Sequence, residues 1–170
     1  MIIERIKLLR KKFIINKIDG YIIPKNDEFF GEYSSHDRLK AISNFDGSAG
    51  LAIVLKNKNY LFVDGRYTSQ AKIQSGQKFK ILTIPKENPS LVLKKKLKIG
   101  FDPKLHTERG LKLIFNNTKS ILKPIETNLI DQIWRKKKSS KYKKFYTLED
   151  KFIGQKTNKK VKLITDFLKR

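Results

Sequence analysis

The chain has 170 residues, enough for one domain with or without a further segment and too few for a multidomain enzyme. Hydrophobic residues make up 39% of it, which suffices for a core and excludes wholesale disorder. It contains no cysteine, so a disulfide framework and thiolate chemistry are excluded, and its 39 basic against 16 acidic residues give a net charge of +23.

The excess positive charge has two possible explanations. Only seven of the 39 basic residues are Arg, and a Lys excess together with many Ile and Asn is typical of AT-rich coding. The alternative is a nucleic-acid-binding module centred on the lysine cluster Lys136–Lys144, in which Tyr142, Phe145 and Tyr146 offer weak aromatic interleaving. Because base readout favours Arg, we favour the compositional explanation and expect no nucleic-acid partner.

Lys or Arg interrupts every apolar run, so the sequence predicts no membrane span. The first 13 residues, MIIERIKLLRKKF, mix basic and apolar residues and lack the separate apolar core of a signal peptide. We therefore expect a cytoplasmic location and no membrane partner.

Helical spacing marks the start of the chain. The apolar residues with this spacing are Ile2, Ile6, Leu9 and Phe13. They predict an amphipathic helix that ends near Asn16 and packs on a sheet. The following Gly20–Pro24 segment predicts a short buried strand that proline closes.

Two apolar runs form the centre of the predicted sheet. Residues 51–55 and 60–63 are separated by four polar residues, which predicts an antiparallel hairpin. Both runs are almost continuously apolar, as in strands that are covered on both faces. A short helix within residues 36–43 and a turn over 44–50 precede them.

The rest of the chain predicts alternating strands and helices. Asp64 is expected to cap a helix over residues 65–75, which Gly76 ends in a left-handed conformation. Strands are expected at 78–84, 98–103 and 121–125, a short helix near 91–93 and a longer one at 106–116. A capping box of Asn128 and Asp131 opens a last helix.

This order predicts an α/β domain over residues 1–134, with a mixed parallel and antiparallel sheet flanked by helices. Residues 135–170 are predicted to be a basic linker and the start of a second domain. That segment contains one helical pattern, formed by Val161, Ile164, Phe167 and Leu168. With nothing local to pack on, such a helix docks on another chain or frays.

Catalytic motifs are absent from the sequence. The two histidines, His36 and His106, belong to no zinc motif, and His36 beside Asp37 is interpreted as a surface or capping residue. The segment FDGSAG matches no phosphate-binding loop, and Ser48 is not in a nucleophile elbow. We therefore expect no catalytic residue, no metal site and no cofactor in this chain.

Two short motifs flank the predicted hairpin. They are Phe45-Asp46-Gly47-Ser48-Ala49-Gly50 and Asp64-Gly65-Arg66-Tyr67. Turns and caps explain Asp and Gly at these positions. They do not require Arg66 and Tyr67, and a guanidinium near a helix start can hold a carboxylate or a peptide carbonyl.

The run from Glu32 to Ala71, EYSSHDRLKAISNFDGSAGLAIVLKNKNYLFVDGRYTSQA, resembles the amino-terminal, creatinase-like domain of cytosolic-type Xaa-Pro aminopeptidases (aminopeptidases P). The likeness continues in IGFDP at 99–103 and NLIDQIW at 128–134. The resemblance implies a creatinase N-terminal fold with a ribonuclease-H-like motif. The segment 85–97 looks shorter than the corresponding stretch of the family.

The resemblance also implies that the chemistry lies elsewhere. The family cleaves before a penultimate proline with a dinuclear metal, typically manganese, held by two Asp, one His and two Glu of a carboxyl-terminal pita-bread domain. This sequence has no residues that match those ligands. The chain is therefore expected to be inactive alone, either pairing with a separate catalytic chain or in a homo-oligomer, or persisting as the remnant of a split gene.

In such relatives the amino-terminal domain makes subunit contacts and narrows the mouth of the active site. By analogy the expected contacts to a peptide substrate or a partner are seven residues: Phe45, Asp46, Gly47, Ser48, Asp64, Arg66 and Tyr67. Of these, Arg66 is the candidate ligand for a carboxylate or a carbonyl.

Overall fold

A computed structural model describes residues 2–31, 36–116, 118–134 and 146–169. The chain divides into two compact units, Met1–Lys136 and Lys137–Arg170. Within the described ranges, no helix is both long and apolar enough to cross a membrane. The lysine cluster Lys136–Lys144 lies outside the described residues.

The first unit is built on a six-stranded sheet with the order β4-β3-β2-β1-β5-β6. Its strands are β1 (Gly20–Pro24), β2 (Gly50–Leu55), β3 (Asn59–Asp64), β4 (Lys80–Ile84), β5 (Lys98–Phe101) and β6 (Ile121–Pro124). The central β1, β2 and β3 are antiparallel neighbours, whereas β1 with β5, β3 with β4 and β5 with β6 are parallel. This mixed sheet confirms the predicted fold class.

Helices cover both faces of the sheet. They are α1 (Ile2–Asn16), α2 (Arg38–Ser43), α3 (Thr68–Ser75), α4 (Glu108–Phe115) and α5 (Leu129–Ile133). Three 3-10 turns, Gly65–Tyr67, Pro89–Val92 and Pro103–Leu105, complete the unit. The helix α1 buries Ile6, Leu9 and Phe13, as the apolar spacing predicts.

Alternate residues of the strands point to two separate cores, because successive side chains of a strand face opposite sides. Tyr21 and Val63 belong to a core that α1, α2, α3 and α5 cover. Ile22 and Phe62 belong to the other core, which includes Leu93 and residues of α4. The continuous apolar runs of β2 and β3 thus reflect burial on both faces.

Three local predictions are corrected. Gly76 is right-handed, with φ −60°, and glycine is needed there because a Cβ would lie 2.5 Å from the Lys72 carbonyl oxygen. Asp64 caps the 3-10 turn Gly65–Tyr67 rather than an α-helix. The predicted helix at 106–116 begins later, at Glu108, after Thr107 caps it.

The second unit contains α6 (Asp150–Ile153) and α7 (Thr157–Leu168). The helix α7 confirms the predicted helical pattern. All of its side chains are exposed, including Ile164 at 60% and Phe167 at 75%.

Candidate functional site

The two sequence motifs meet at one end of the sheet. Gly50 begins β2 and is paired with Val63 in β3, so the loop before β2 and the turn after β3 lie side by side. The hairpin therefore brings residues 45–48 next to residues 64–67. We call these residues the candidate site.

Phe45 and Gly47 form its buried part. The Phe45 ring is fully buried and meets the Tyr67 ring edge to face at 6.0 Å. Gly47 is also buried, and a Cβ on it would lie 2.3 Å from Phe45 Cζ. These two residues hold the loop in place and present no side chain to a ligand.

A hydroxyl pair joins the two motifs directly. Ser48 Oγ and Tyr67 Oη are 2.7 Å apart, and either hydroxyl can donate to the other. Both residues are partly exposed. This hydrogen bond connects the loop before β2 to the turn after β3.

The Asp46 carboxylate is held by α3. Its Oδ1 accepts from the side-chain amides of Gln70 and Gln74, each at 2.7 Å, and Oδ2 accepts from Lys40 Nζ at 3.3 Å. The hydrogen bond from Gln74 is the main cause that lowers the pKa of the Asp46 carboxyl below its usual range. Asp46 is thus an ionised, exposed group whose orientation is fixed by its neighbours.

Arg66 is oriented by its own turn. Asp64 Oδ1 accepts from both the backbone N–H and Nε of Arg66, each at 2.9 Å. The hydrogen bond from the Arg66 backbone lowers the pKa of the Asp64 carboxyl most, followed by the side-chain bond. The guanidinium also lies 5.6 Å from the centre of the Tyr67 ring, and 76% of the Arg66 side chain is exposed. It is a positioned cation that faces solvent.

Local sequence patterns do not reveal a partly buried ionic cluster around Arg38. Arg38, only 5% exposed, donates to both carboxylate oxygens of Asp131 at 2.8 Å and to Glu28 Oε1 at 2.6 Å. His36 Nε2 lies 2.7 Å from Asp131 Oδ1, and its ring stacks on Trp134 at 4.8 Å. These contacts tie α2 to α5.

The cluster corrects one interpretation. Asp131 does not complete a capping box, because its carboxylate binds Arg38 and His36, while Asn128 alone caps α5 by accepting from the Ile130 N–H. The sequence interpreted His36 as a surface or capping residue; it is partly exposed, at 20% of its side chain, and its ring binds Asp131. Arg38 and Asp131 are 93 residues apart, so no local pattern could reveal the pair.

Groups that could bind a metal are His, Cys, Asp and Glu side chains that lie close together. In the four ranges that the structure describes, no group of three or more His, Cys, Asp or Glu residues could hold a metal ion.

Comparison with known proteins identifies the family. The model of the Creatinase/Prolidase N-terminal domain matches residues 5–132. The chain belongs to this family. The match spans most of the chain and contains every strand of the sheet.

Relatives of known sequence extend the likeness beyond this domain. The chain is 31% identical over 176 residues to "Probable Xaa-Pro aminopeptidase P" of Coprinopsis cinerea, covering 96% of this chain and 28% of the relative. It is 33% identical over 171 residues to the protein of the same description from Neosartorya fischeri, covering 93% and 26%. This family member thus spans about a quarter of the length of these relatives.

Solved structures show the same fold. The X-prolyl aminopeptidase from Caenorhabditis elegans, described as a cytosolic enzyme with a di-nuclear active site, matches with a TM-score of 0.68 and 25% identity over 99% of this chain and 31% of its own. The N-terminal domain of cytoplasmic peptidase PepQ from Mycobacterium tuberculosis matches with a TM-score of 0.61 and 19% identity over 77% of this chain and 98% of its own. The second likeness concerns the fold alone.

Proposed function

We propose that this chain is the non-catalytic N-terminal component of an Xaa-Pro aminopeptidase. It acts by gating substrate or by making subunit contacts with a catalytic unit on a separate chain. The observation that carries the proposal is the match of residues 5–132 to the Creatinase/Prolidase N-terminal domain, together with the 31% identity to "Probable Xaa-Pro aminopeptidase P" over 96% of this chain. The described residues supply a folded domain and a positioned cation, and bond cleavage would be the task of the catalytic unit.

The candidate site is the surface through which the chain would act. Arg66 is exposed and held by Asp64 and Tyr67, so its guanidinium needs little reordering to bind a peptide carboxylate or carbonyl. We therefore propose that Arg66 contacts the substrate or the partner.

Support for a cytoplasmic location comes from the relative that is described as cytosolic.

The first experiment measures activity of the chain alone. Purified and supplied with manganese, it is expected not to release the first residue of an Xaa-Pro peptide, because the described residues lack a metal-binding group. Release that a chelator abolishes would contradict the proposal.

The second experiment looks for the catalytic chain. Tagged chain is used to capture proteins from native extract, and mass spectrometry must identify a pita-bread polypeptide with the family's two Asp, one His and two Glu. Recovery of that polypeptide supports the split enzyme. Its absence supports a remnant of a split gene, and sedimentation of the purified chain then tests the homo-oligomer.

The third experiment assigns Arg66. In the reconstituted enzyme, Arg66→Ala is expected to raise KM or weaken the assembly by about tenfold, since a charge-assisted contact is lost. Arg109→Ala is the matched control, because Arg109 is an exposed arginine on α4, outside the candidate site. Equal effects of the two substitutions would refute the role of Arg66.

A further inference from the structure

The end of the sheet opposite the candidate site carries two adjoining grooves. Their volumes are about 630 Å³ and 560 Å³, and both are lined by Asp19, Lys56 and Leu97. They lie where β4 and β5 begin and β2 ends, whereas the candidate site lies where β2 begins and β3 ends. We call the two grooves together the lysine groove.

Lysine dominates the walls of this groove. Its lysines are Lys17, Lys56, Lys58, Lys80, Lys94, Lys95, Lys96 and Lys98, all of them exposed. Asp19 is the one acidic residue among the lining residues. Its Oδ1 accepts from Lys56 Nζ at 2.5 Å and its Oδ2 from the Lys98 N–H at 2.9 Å. The groove therefore holds a large excess of positive charge.

Most lysines of the groove have no carboxylate partner among the described residues. Outside the groove, several lysines form ion pairs with carboxylates: Lys7 with Glu4, Lys25 with Asp37, Lys40 with Asp46 and Lys112 with Glu108. In the groove, Lys56 alone pairs with a carboxylate of the described residues. A lysine without an ion pair is not peculiar to the groove, because Lys11, Lys72 and Lys86 also have none with the described residues. What distinguishes the groove is that seven such lysines line one concave surface.

The floor of the larger groove is apolar. Leu55, Tyr60, Leu91, Val92 and Leu97 line it, and Leu91 is 53% exposed. A single-stranded nucleic acid binds by stacking its bases on exposed aromatic rings or on Arg. Tyr60 is only 9% exposed, and no Arg is among the lining residues. An apolar floor between lysines favours a partner that brings both carboxylates and large apolar side chains.

We propose that the lysine groove is a docking site for an acidic segment of another protein. Apolar side chains of that segment pack against Leu91 and its neighbours, and its carboxylates pair with the surrounding lysines. This binding is separate from the proposed peptidase role, because a six-residue strand of about 16 Å separates the two ends of the sheet.

The test measures binding by fluorescence anisotropy at about 0.15 M salt, where long-range attraction between exposed charges is largely screened. The probe is a fluorescein-labelled peptide of glutamates with interspersed leucines. A second peptide replaces the leucines with serine, and a labelled oligothymidine of equal charge serves as the nucleic-acid probe. The leucine peptide is expected to bind about tenfold more tightly than either of the others.

Variants locate the binding surface. The double substitution Lys94→Glu/Lys95→Glu is expected to weaken binding of the leucine peptide by at least about tenfold. Leu91→Ser is expected to weaken it by about threefold. Lys159→Glu/Lys160→Glu is the matched control, because it makes the same charge change on exposed residues of α7, outside the groove. Circular dichroism checks that each variant is folded.

Each outcome decides the proposal. Selective weakening by the groove variants with a preference for the leucine peptide supports it. Undetectable binding of that peptide overturns it, as do equal effects of the groove and control variants. Equal or tighter binding of oligothymidine also overturns it in favour of a general polyanion or nucleic-acid surface.

Discussion

Replacement of Gly47 by alanine is expected to lower the free energy of unfolding by about 1–3 kcal/mol. The added Cβ would lie 2.3 Å from a carbon of the buried Phe45 ring, so the ring or the loop must move. Gly65→Ala is the control, because its Cβ would meet only Thr83 Cγ2, at 3.8 Å. Urea unfolding measures both variants, and an equal loss in the two would show that packing on Phe45 is not the cause.

His106 is expected to make the domain sensitive to mild acid. Burial lowers its pKa from 6.5 to about 4, and its ring meets Phe101 edge to face at 5.8 Å. Between pH 6.5 and about 4 the unfolded chain binds a proton that the folded chain does not, so stability falls as the pH falls through this window.

The measurement compares wild type with His106→Gln by urea unfolding at pH 7 and pH 5. Between pH 7 and pH 5 the free energy of unfolding of wild type is expected to fall by about 1–2 kcal/mol more than that of the variant. The reason is that one proton taken up only by the unfolded chain lowers this free energy by about 1.4 kcal/mol for each pH unit. Parallel losses in the two proteins would contradict the burial of a neutral imidazole.

At the level of elements, the Tyr67 hydroxyl couples the 3-10 turn after β3 to the loop before β2. Tyr67→Phe removes the 2.7 Å bond to Ser48 and is expected to cost about 1 kcal/mol, with faster exchange of the loop amides. Tyr146→Phe, at a side chain that is 84% exposed in the second unit, is the control. Unchanged exchange in the Tyr67 variant would show that the hydroxyl pair does not hold the loop.

Local patterns predicted the strands and most helices of the first unit. The spacing in α1 and the apolar runs of β2 and β3 depend on periodicity and burial, which neighbouring residues encode. The conformation of Gly76 could not be predicted, because glycine serves there for close approach to the Lys72 carbonyl instead of a positive φ. Both roles require glycine, so the sequence alone does not distinguish them.

The candidate site shows the same division. The proximity of Ser48 and Tyr67 follows from the hairpin between their motifs, which the sequence predicts. The hydrogen bonds from Gln70 and Gln74 to Asp46 do not follow from the sequence, because α3 packs beside a loop more than 20 residues earlier in the chain. Lys40 of α2 binds the same carboxylate. The partly buried Arg38–Asp131 pair likewise depends on tertiary contacts alone.

At the scale of the whole molecule, the first unit holds the buried side chains of both cores. In the second unit, none of the residues of α6 or α7 is buried. Since buried apolar area supplies most of the free energy of folding, the stability of the first unit is expected to be independent of residues 137–170.

Deletion of residues 137–170 tests this independence and the proposed domain boundary together. The shortened chain is expected to keep the urea midpoint of the full chain within error, since the removed helices bury no side chain. The slope of unfolding free energy against urea is expected to stay nearly constant as well, because it scales with the surface exposed on unfolding. A midpoint that falls by the equivalent of about 1 kcal/mol or more would show that the second unit stabilises the first, and the boundary would then have to move.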